Sequence, residues 1–348
     1  RARKQQQQQA KIIRIRPDTA TRARRIKAVG GCCLIVVVVL AVVGSMTQQN
    51  DPNDDGSSNI QHRLPMTCPK VYNEKGKEAQ LYIKDDNMIA KDIPGYLKTF
   101  RTQEFDQWGK TYQEVKEKLT PYKSQKYASL RNGQAIFESA CGIGLNLVMT
   151  LEILQEQHNI TNLVVYGNDF VPDSVALANL LLQQGGILAH SQGHLGTLCQ
   201  ADSKNLSFAP SDSFDLVFTG YLTPLWDPLR APVPSDDEDK MWEYYDKICA
   251  EKDKKQKKLY EKWLSTQEQW FTRWVREMIR IAKPGSPIIL EQISQAYCDN
   301  DNDWDGVRQK FWKTFVADKQ NGVDPHSLDM EPNKVDEDRY NVFMKKRK

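Results

Sequence analysis

The chain has 348 residues, of which 27% are charged and 40% hydrophobic, and its formal net charge is +3. Residues 1–27 carry ten Lys or Arg against one Asp, a local charge of +9, so the rest of the chain carries −6. A region with a negative balance offers no basic surface for the phosphate backbone, which argues against DNA or RNA as the substrate of the main domain.

The basic tail is followed by 19 residues without a charged side chain, Ala28–Met46. This length is close to the ~20 residues that cross a bilayer core and predicts a transmembrane signal anchor. The positive-inside rule then leaves the tail in the cytosol and places everything after Met46 on the other side. A cleaved signal peptide is the alternative interpretation, although its apolar core is normally ~7–15 residues long.

An anchor of near-minimal length suits the thinner membranes of the endoplasmic reticulum or Golgi, which predicts a single-pass protein with a lumenal domain. Two N-x-S/T sequences, Asn159-Ile160-Thr161 and Asn205-Leu206-Ser207, are compatible with lumenal glycosylation. The basic, acid-poor start leaves a mitochondrial membrane as the alternative location.

The remaining chain divides by composition into a stem and lead-in, residues 47–95, and a folded domain, residues 96–348. Five cysteines lie outside the apolar segment: Cys68, Cys141, Cys199, Cys249 and Cys298. They have no zinc-like spacing, so no metal site is predicted. One disulfide among them is allowed, but the sequence does not say which cysteines would form it.

Aromatic residues at Phe105, Trp108 and Tyr112 have helical spacing, which predicts a helix that packs them in the core or against a ligand. The stretch Ile136–Gly144 then reads as a strand, a loop of small residues and the start of a helix over Leu145–Leu154. Small residues let a ligand approach the backbone, and the free N–H groups of a helix start favour a negative group. A dinucleotide fingerprint fits poorly, because Leu147 stands where its third glycine belongs.

Further strands and helices alternate after this loop. The predicted elements are strand Asn162–Gly167, helix Ser174–Gln184, strands His194–Gln200 and Ser213–Phe218, and strand Pro287–Gln292. This order predicts a doubly wound, mostly parallel α/β sheet that binds its ligand at the carboxyl ends of the strands. Glu138, Asp169 and Asp202 fall at such ends, although each taken alone also fits a helix cap or a turn former.

The small-residue loop resembles motif I of the class I S-adenosylmethionine-dependent methyltransferases, an acidic residue followed by G-x-G-x-G, with Ala140 in place of the first glycine. The resemblance covers roughly Phe105 to the C-terminus and includes Asp215–Phe218 and Lys283-Pro284-Gly285. It implies a Rossmann-like sheet of seven strands. The run Arg339–Lys345 resembles the antiparallel last strand of that fold. Its hairpin partner is expected within Lys319–Met330, where no strand pattern is evident.

The resemblance also implies S-adenosylmethionine as the cofactor. It assigns the ribose hydroxyls to Asp169, the adenine amino group to Asp202, and cover for the methionyl end to Trp108 and Tyr112. The full expected cofactor set is Glu138, Ala140, Cys141, Gly142, Gly144, Asp169, Phe170, Asp202, Ser203, Thr219, Trp108 and Tyr112.

Insertions after strand four tend to cover the acceptor in this superfamily, which makes residues 221–282 a candidate substrate lid and helix. Tyr221, Trp226 and Asp227 are candidates for the acceptor pocket. Tyr221, Asp227 and His194 are weak candidates for the catalytic base, and no pairing singles one out. We expect methyl transfer to an oxygen or nitrogen of a small molecule or glycan, with a lipid head group as second choice. An inactive, partner-binding relative and an NAD-dependent dehydrogenase are the alternatives.

Overall fold

The computed structural model describes residues 64–69, 104–105, 110–184, 194–219, 254–291, 309–332 and 340–348. None of the helices in these ranges is long and apolar enough to cross a membrane. The predicted anchor Ala28–Met46 lies outside the described residues. So do Trp108, Tyr221, Trp226 and Asp227.

A short antiparallel hairpin of β1 (Glu104–Phe105) and β2 (Lys110–Thr111) comes before the first helix. The helices are α1 (Tyr112–Tyr127), α2 (Leu145–His158), α3 (Pro172–Gln184), α4 (Lys254–Ile281) and α5 (Gln309–Ala317). The remaining strands are β3 (Ala135–Ser139), β4 (Val164–Asp169), β5 (His194–Gln200), β6 (Leu216–Thr219), β7 (Pro287–Leu290), β8 (Asp329–Pro332) and β9 (Tyr340–Lys345).

The hairpin corrects one prediction. Phe105 and Tyr112 do not share a helix, because Phe105 pairs with Lys110 across the hairpin and α1 begins only at Tyr112. The sequence between them contains Gly109, a residue that disfavours a helix interior and weakens the helical pattern of the aromatic residues.

Within the described residues, seven strands form one sheet in the order β5-β4-β3-β6-β7-β9-β8. All neighbouring pairs are parallel except those made by β9, which runs antiparallel to β7 and β8. The sheet is therefore mixed, with one reversed strand, as the interpretation of Arg339–Lys345 predicted. The partner β8 overlaps the expected interval only at Asp329 and Met330.

The sheet is covered on both faces. On one face, α1, α2 and α3 bury residues such as Ile136, Leu147 and Phe218. On the other, α4 and α5 bury Trp274, Trp312 and their aromatic neighbours. Trp270 and Trp274 lie on the buried side of α4.

The short segment 64–69 fills a gap on the α4 face. No helix occurs in residues 201–215, the whole connection from β5 to β6. Leu64 and Met66 pack against the core of this face, and the Leu64 N–H donates to the Tyr166 hydroxyl at 2.9 Å. A disulfide joins Cys68 to Cys199 of β5. The structure thus supplies the pairing that the sequence left open, and it attaches part of the predicted lead-in to the sheet.

Candidate active site

The predicted site residues gather where the parallel strands end. Ser139 of β3 lies opposite Asn168 of β4 and Thr219 of β6, and Thr219 lies opposite Leu290 of β7. Asp169 ends β4 opposite Gln200 of β5. Because carboxyl ends of neighbouring parallel strands open a crevice, this edge is the expected ligand edge of the sheet.

The loop between β3 and α2 uses three residues with positive φ: Ala140 (55°), Gly142 (51°) and Gly144 (82°). A β-carbon added to Gly142 would have no atom of the described residues within 4 Å, so these residues leave space in front of this backbone. A β-carbon on Gly144 would lie 3.4 Å from the Ala178 side chain of α3. Ala140 stands where the methyltransferase motif has glycine. Its left-handed backbone conformation carries a steric cost of ~1–2 kcal/mol for an L-residue.

Asp169 connects this loop to the start of α3. Its Oδ2 accepts from the Gly142 N–H at 2.8 Å, and its Oδ1 accepts from the Val171 N–H at 2.8 Å. Desolvation raises the pKa of Asp169, and these backbone hydrogen bonds oppose the rise. Each carboxylate oxygen has a second lone pair, so Asp169 can still accept a hydrogen bond from a ligand hydroxyl.

Asp202 is buried, but its carboxylate is engaged locally. Oδ1 accepts from the Lys204 N–H at 3.1 Å, and Oδ2 lies 3.1 Å from Lys204 Nζ. These contacts are typical of an aspartate that stabilises a turn, which was the alternative to a cofactor-binding role for Asp202. An adenine amino group would have to share the carboxylate with Lys204.

A chain of buried hydrogen bonds crosses three strand ends beneath the loop. Trp274 Nε1 donates to Ser139 Oγ at 2.8 Å, and Ser139 donates to Asn168 Oδ1 at 3.0 Å. The Asn168 amide donates in turn to Ser203 Oγ and to the Ala201 carbonyl, both at 3.0 Å. Ser203, predicted to bind the cofactor, therefore takes part in fixing the ends of β4 and β5.

A buried charged cluster lies on the α1–α2 side of the same edge, and sequence reasoning found only one of its members. Lys123 Nζ donates to Glu291 Oε2 at 2.7 Å and to Asn146 Oδ1 at 2.9 Å. The Asn146 amide donates to Glu138 Oε1 at 3.0 Å. Glu291 directly follows β7, whereas the predicted strand Pro287–Gln292 includes it, so the sequence did not mark it as a site residue.

The cluster leaves two carboxylate oxygens without a partner among the described residues, Glu138 Oε2 and Glu291 Oε1. Glu138 is 1% exposed, and desolvation raises its pKa to about 8, although Asn146 and Lys123 both act to lower it. A buried acceptor without a donor is costly, which makes a ligand donor at these oxygens favourable.

On the α4 side, Thr219 Oγ1 and Trp270 Nε1 are also buried without a partner in the described part of the chain. Trp270 stacks near Trp274, with ring centroids 5.5 Å apart, and both rings belong to the apolar core of the α4 face. Thr219 lies beside Ser139, to which Trp274 donates. The α4 side of this edge thus presents neutral polar atoms among aromatic rings.

The other predicted residues are placed as follows. Cys141 is buried and free, its N–H donates to the Asn168 carbonyl at 2.9 Å, and burial raises the pKa of its thiol. Phe170 is half-buried beside Asp169. Asp215 begins the run Asp215–Phe218 that resembles the methyltransferases. It lies at the edge of the sheet opposite to the Gly142 loop, and both its carboxylate oxygens lie 2.8 Å from Lys283 Nζ.

The structure places Tyr112 and the main chain of His194 away from the Gly142 loop. Tyr112 is buried and donates from its hydroxyl to Glu152 Oε2 at 3.0 Å. Glu152 lies eight residues along α2 from Gly144, about 12 Å at 1.5 Å per residue, so Tyr112 belongs to the packing of α1 on α2. His194 begins β5, opposite Val164, so its main chain lies at the edge away from the site, about 20 Å of strand from Gln200.

No protein-family model and no curated protein sequence matches the chain. Several solved structures have a similar fold. An S-adenosylmethionine-dependent methyltransferase from Aquifex aeolicus is 14% identical, with 67% of this chain and 95% of that chain covered and a TM-score of 0.35. A candidate class I methyltransferase from Listeria monocytogenes is 15% identical, with 77% and 71% covered and a TM-score of 0.40. The cyclase SpnF is 12% identical, with 78% and 79% covered and a TM-score of 0.40.

Similarity at these identities concerns the fold, and a fold of this kind hosts more than one chemistry. The chain has the seven-stranded Rossmann-like sheet, with its reversed last strand, that the sequence resemblance to class I methyltransferases implies. What the site does depends on this chain's own residues.

Proposed function

We propose that this protein is an S-adenosylmethionine-dependent methyltransferase. The observation that carries the proposal is the pairing of an open, left-handed loop at Gly142 with a buried carboxylate, Glu138, that has an unpartnered oxygen. The loop leaves room for a ligand against the backbone, and the carboxylate favours a positive group on that ligand.

The charge balance at this edge supports a cationic ligand. Among the described residues, Asp202 is balanced by Lys204, whereas Glu138 and Glu291 share one buried cation, Lys123, and Asp169 accepts from backbone N–H groups. Glu138 becomes negative when a bound sulfonium or ammonium group displaces its proton, and together with Glu291 it then favours that cation. Buried carboxyl groups give the diphosphate of a dinucleotide no such partner, which argues against the dehydrogenase alternative.

The bound cofactor would supply an activated methyl group. The chain's contribution is binding and orientation: Asp169 accepts from hydroxyl donors, Gly142 leaves its backbone accessible, and Glu138 accepts from a cationic donor. Holding two reactants in line can lower the activation barrier by ~7–11 kcal/mol. None of the described residues is assigned as the base.

We infer an acceptor with an oxygen or nitrogen nucleophile on a small molecule or glycan. Support comes from Thr219 and Trp270, whose unpartnered atoms are neutral and lie among aromatic side chains. Indole N–H and hydroxyl groups suit an uncharged, hydroxyl-bearing acceptor. Residues 221–253 stay the proposed cover over this acceptor.

We also propose that the chain is anchored by Ala28–Met46 with its domain in the Golgi or endoplasmic reticulum lumen. The cysteine pair supports this location, because disulfides persist in oxidising compartments and are rare in the cytosol. A mitochondrial membrane remains the alternative.

Calorimetric titration of the full chain in detergent tests the proposed activity. We expect binding of S-adenosylmethionine and of its demethylated product but not of NAD, and Asp169→Ala should weaken the binding at least tenfold. Thr197→Ser, a conservative change within β5, is the control. A folded sample that binds none of the three compounds would favour a partner-binding relative without catalysis.

A further inference from the structure

Two tripeptides with the N-x-S/T pattern lie on the described surface. Asn159 follows the end of α2 and is exposed, and Asn205 lies in the turn after Asp202 and is also exposed. Neither side-chain amide makes a hydrogen bond or other polar contact with the described residues. Both are therefore available for modification from solvent.

Each tripeptide is held by its middle residue. Ile160 is 7% exposed and Leu206 is fully buried, so the flanking asparagines are directed outward from anchored backbone. Leu206 is fixed further by its main chain, whose N–H donates to Glu277 at 2.7 Å and whose carbonyl accepts from Arg280 at 2.7 Å. A group attached at either asparagine would project into water without disturbing the core.

The hydroxyl residues differ between the two tripeptides. Ser207 is exposed, whereas Thr161 is half-buried and its N–H donates to Asn132 Oδ1 at 2.7 Å. Ser207 can therefore be exchanged without a packing cost. This difference supplies matched controls in which the asparagine stays and only the hydroxyl is changed.

Asn159 ends α2 and precedes the start of β4, at the edge of the sheet opposite to the Gly142 loop. An attached group at Asn159 is therefore distant from the Gly142 loop.

We propose that Asn159 and Asn205 are N-glycosylated. The inference rests on the lumenal placement proposed above, and the Cys68–Cys199 bond supports such an environment. In the reaction, Nδ2 of each asparagine forms a bond to the anomeric carbon of a lipid-linked oligosaccharide. The bond from that carbon to the lipid diphosphate breaks, the amide loses one proton, and the lipid diphosphate leaves. The result is a bulky, solubilising group at each surface site.

The test is expression of the full chain in animal cells, followed by treatment of the membrane fraction with a glycosidase that removes N-linked glycans. We expect the treatment to increase gel mobility by two steps. N159Q and N205Q should each remove one step, and the double variant should remove both. S207A should abolish the Asn205 step with the asparagine intact, while S207T should keep it.

Unchanged mobility after treatment would overturn the proposal. Non-reducing peptide mapping then separates two causes: an intact Cys68–Cys199 bond would mean a lumenal domain whose tripeptides are unused, and free thiols would mean a domain outside the lumen. Cofactor binding, measured on the same protein by calorimetry, reports on the proposed activity independently of either result.

Discussion

Lys123 and Glu291 form an ion pair 2.7 Å long in which the side chains are 1% and 7% exposed, 168 residues apart in the chain. It joins α1 to the end of β7 beside the site. Removing one partner of a buried pair leaves the other charge uncompensated, which typically costs ~3–5 kcal/mol.

Lys123→Met should therefore lower the free energy of unfolding by about 3–5 kcal/mol, measured by urea denaturation. The double variant Lys123→Met, Glu291→Leu should recover much of the loss, because no buried charge is left alone. Lys118→Met, at an exposed position of the same helix, should change stability by less than about 0.5 kcal/mol. Equal losses for the single and double variants would show that the pair is not the cause.

The raised pKa of Glu138, about 8, predicts a pH-dependent affinity for a cationic cofactor. Below pH 8 the carboxyl holds a proton, which a bound cation must displace, so affinity should rise as the pH approaches 8 and then level. Titration in buffers of different ionisation enthalpy measures the released proton. The cofactor's own α-ammonium titrates in the same range, so the contribution of Glu138 is the part that Glu138→Gln removes.

The raised pKa of Glu138 also predicts the direction in which stability changes with pH. Between pH ~4.5 and 8 the folded carboxyl holds a proton that the unfolded chain has released, so stability should fall as the pH rises through this window. In Glu138→Gln this decline should be smaller. Denaturation midpoints at pH 5 and 8 compare the two proteins, and identical slopes would contradict the assignment.

Ala140→Gly should stabilise the protein by about 0.5–1 kcal/mol, because glycine adopts the φ of +55° without steric cost while losing more chain entropy on folding. The matched control is Ala176→Gly, at an exposed position within α3, which should destabilise by about 1 kcal/mol. Thermal unfolding of both variants gives the comparison. A loss of stability at both positions would mean that residue 140 is not left-handed.

Reduction should lower stability through the Cys68–Cys199 bond, which closes a loop of 131 residues. Loop entropy predicts a loss of about 2–5 kcal/mol, measured as the shift in urea midpoint between oxidised and reduced protein. In Cys68→Ala, the urea midpoints of the oxidised and reduced protein should be the same. Cys141→Ala leaves the bond in place and should retain that difference.

The sequence predicted those parts of the site that depend on local chain geometry. Gly142, Gly144 and Asp169 were identifiable because each lies beside a strand end whose hydrophobic pattern is clear. Lys123, Asn146 and Glu291 were not, because their meeting depends on how α1 crosses the sheet, and no local pattern encodes it.

The fold shows the same division. Strand β5 was predicted with its observed ends, since His194–Gln200 is bounded by turn residues. Strand β8 was missed because its four residues, Asp-Met-Glu-Pro, are only half-buried or exposed and contain proline. The pairing of Cys68 with Cys199 also escaped prediction, because segment 64–69 is placed beside β5 by tertiary contacts, such as the hydrogen bond from Leu64 to Tyr166, that no local pattern encodes.

The unpartnered carboxylates also affect how the demethylated cofactor would leave the site after each reaction. A bound sulfonium that gave up its methyl group would become an uncharged thioether, so its attraction to Glu138 and Glu291 would weaken, whereas an ammonium group on the same molecule would keep its own. The spent molecule would then be held less tightly than the fresh one.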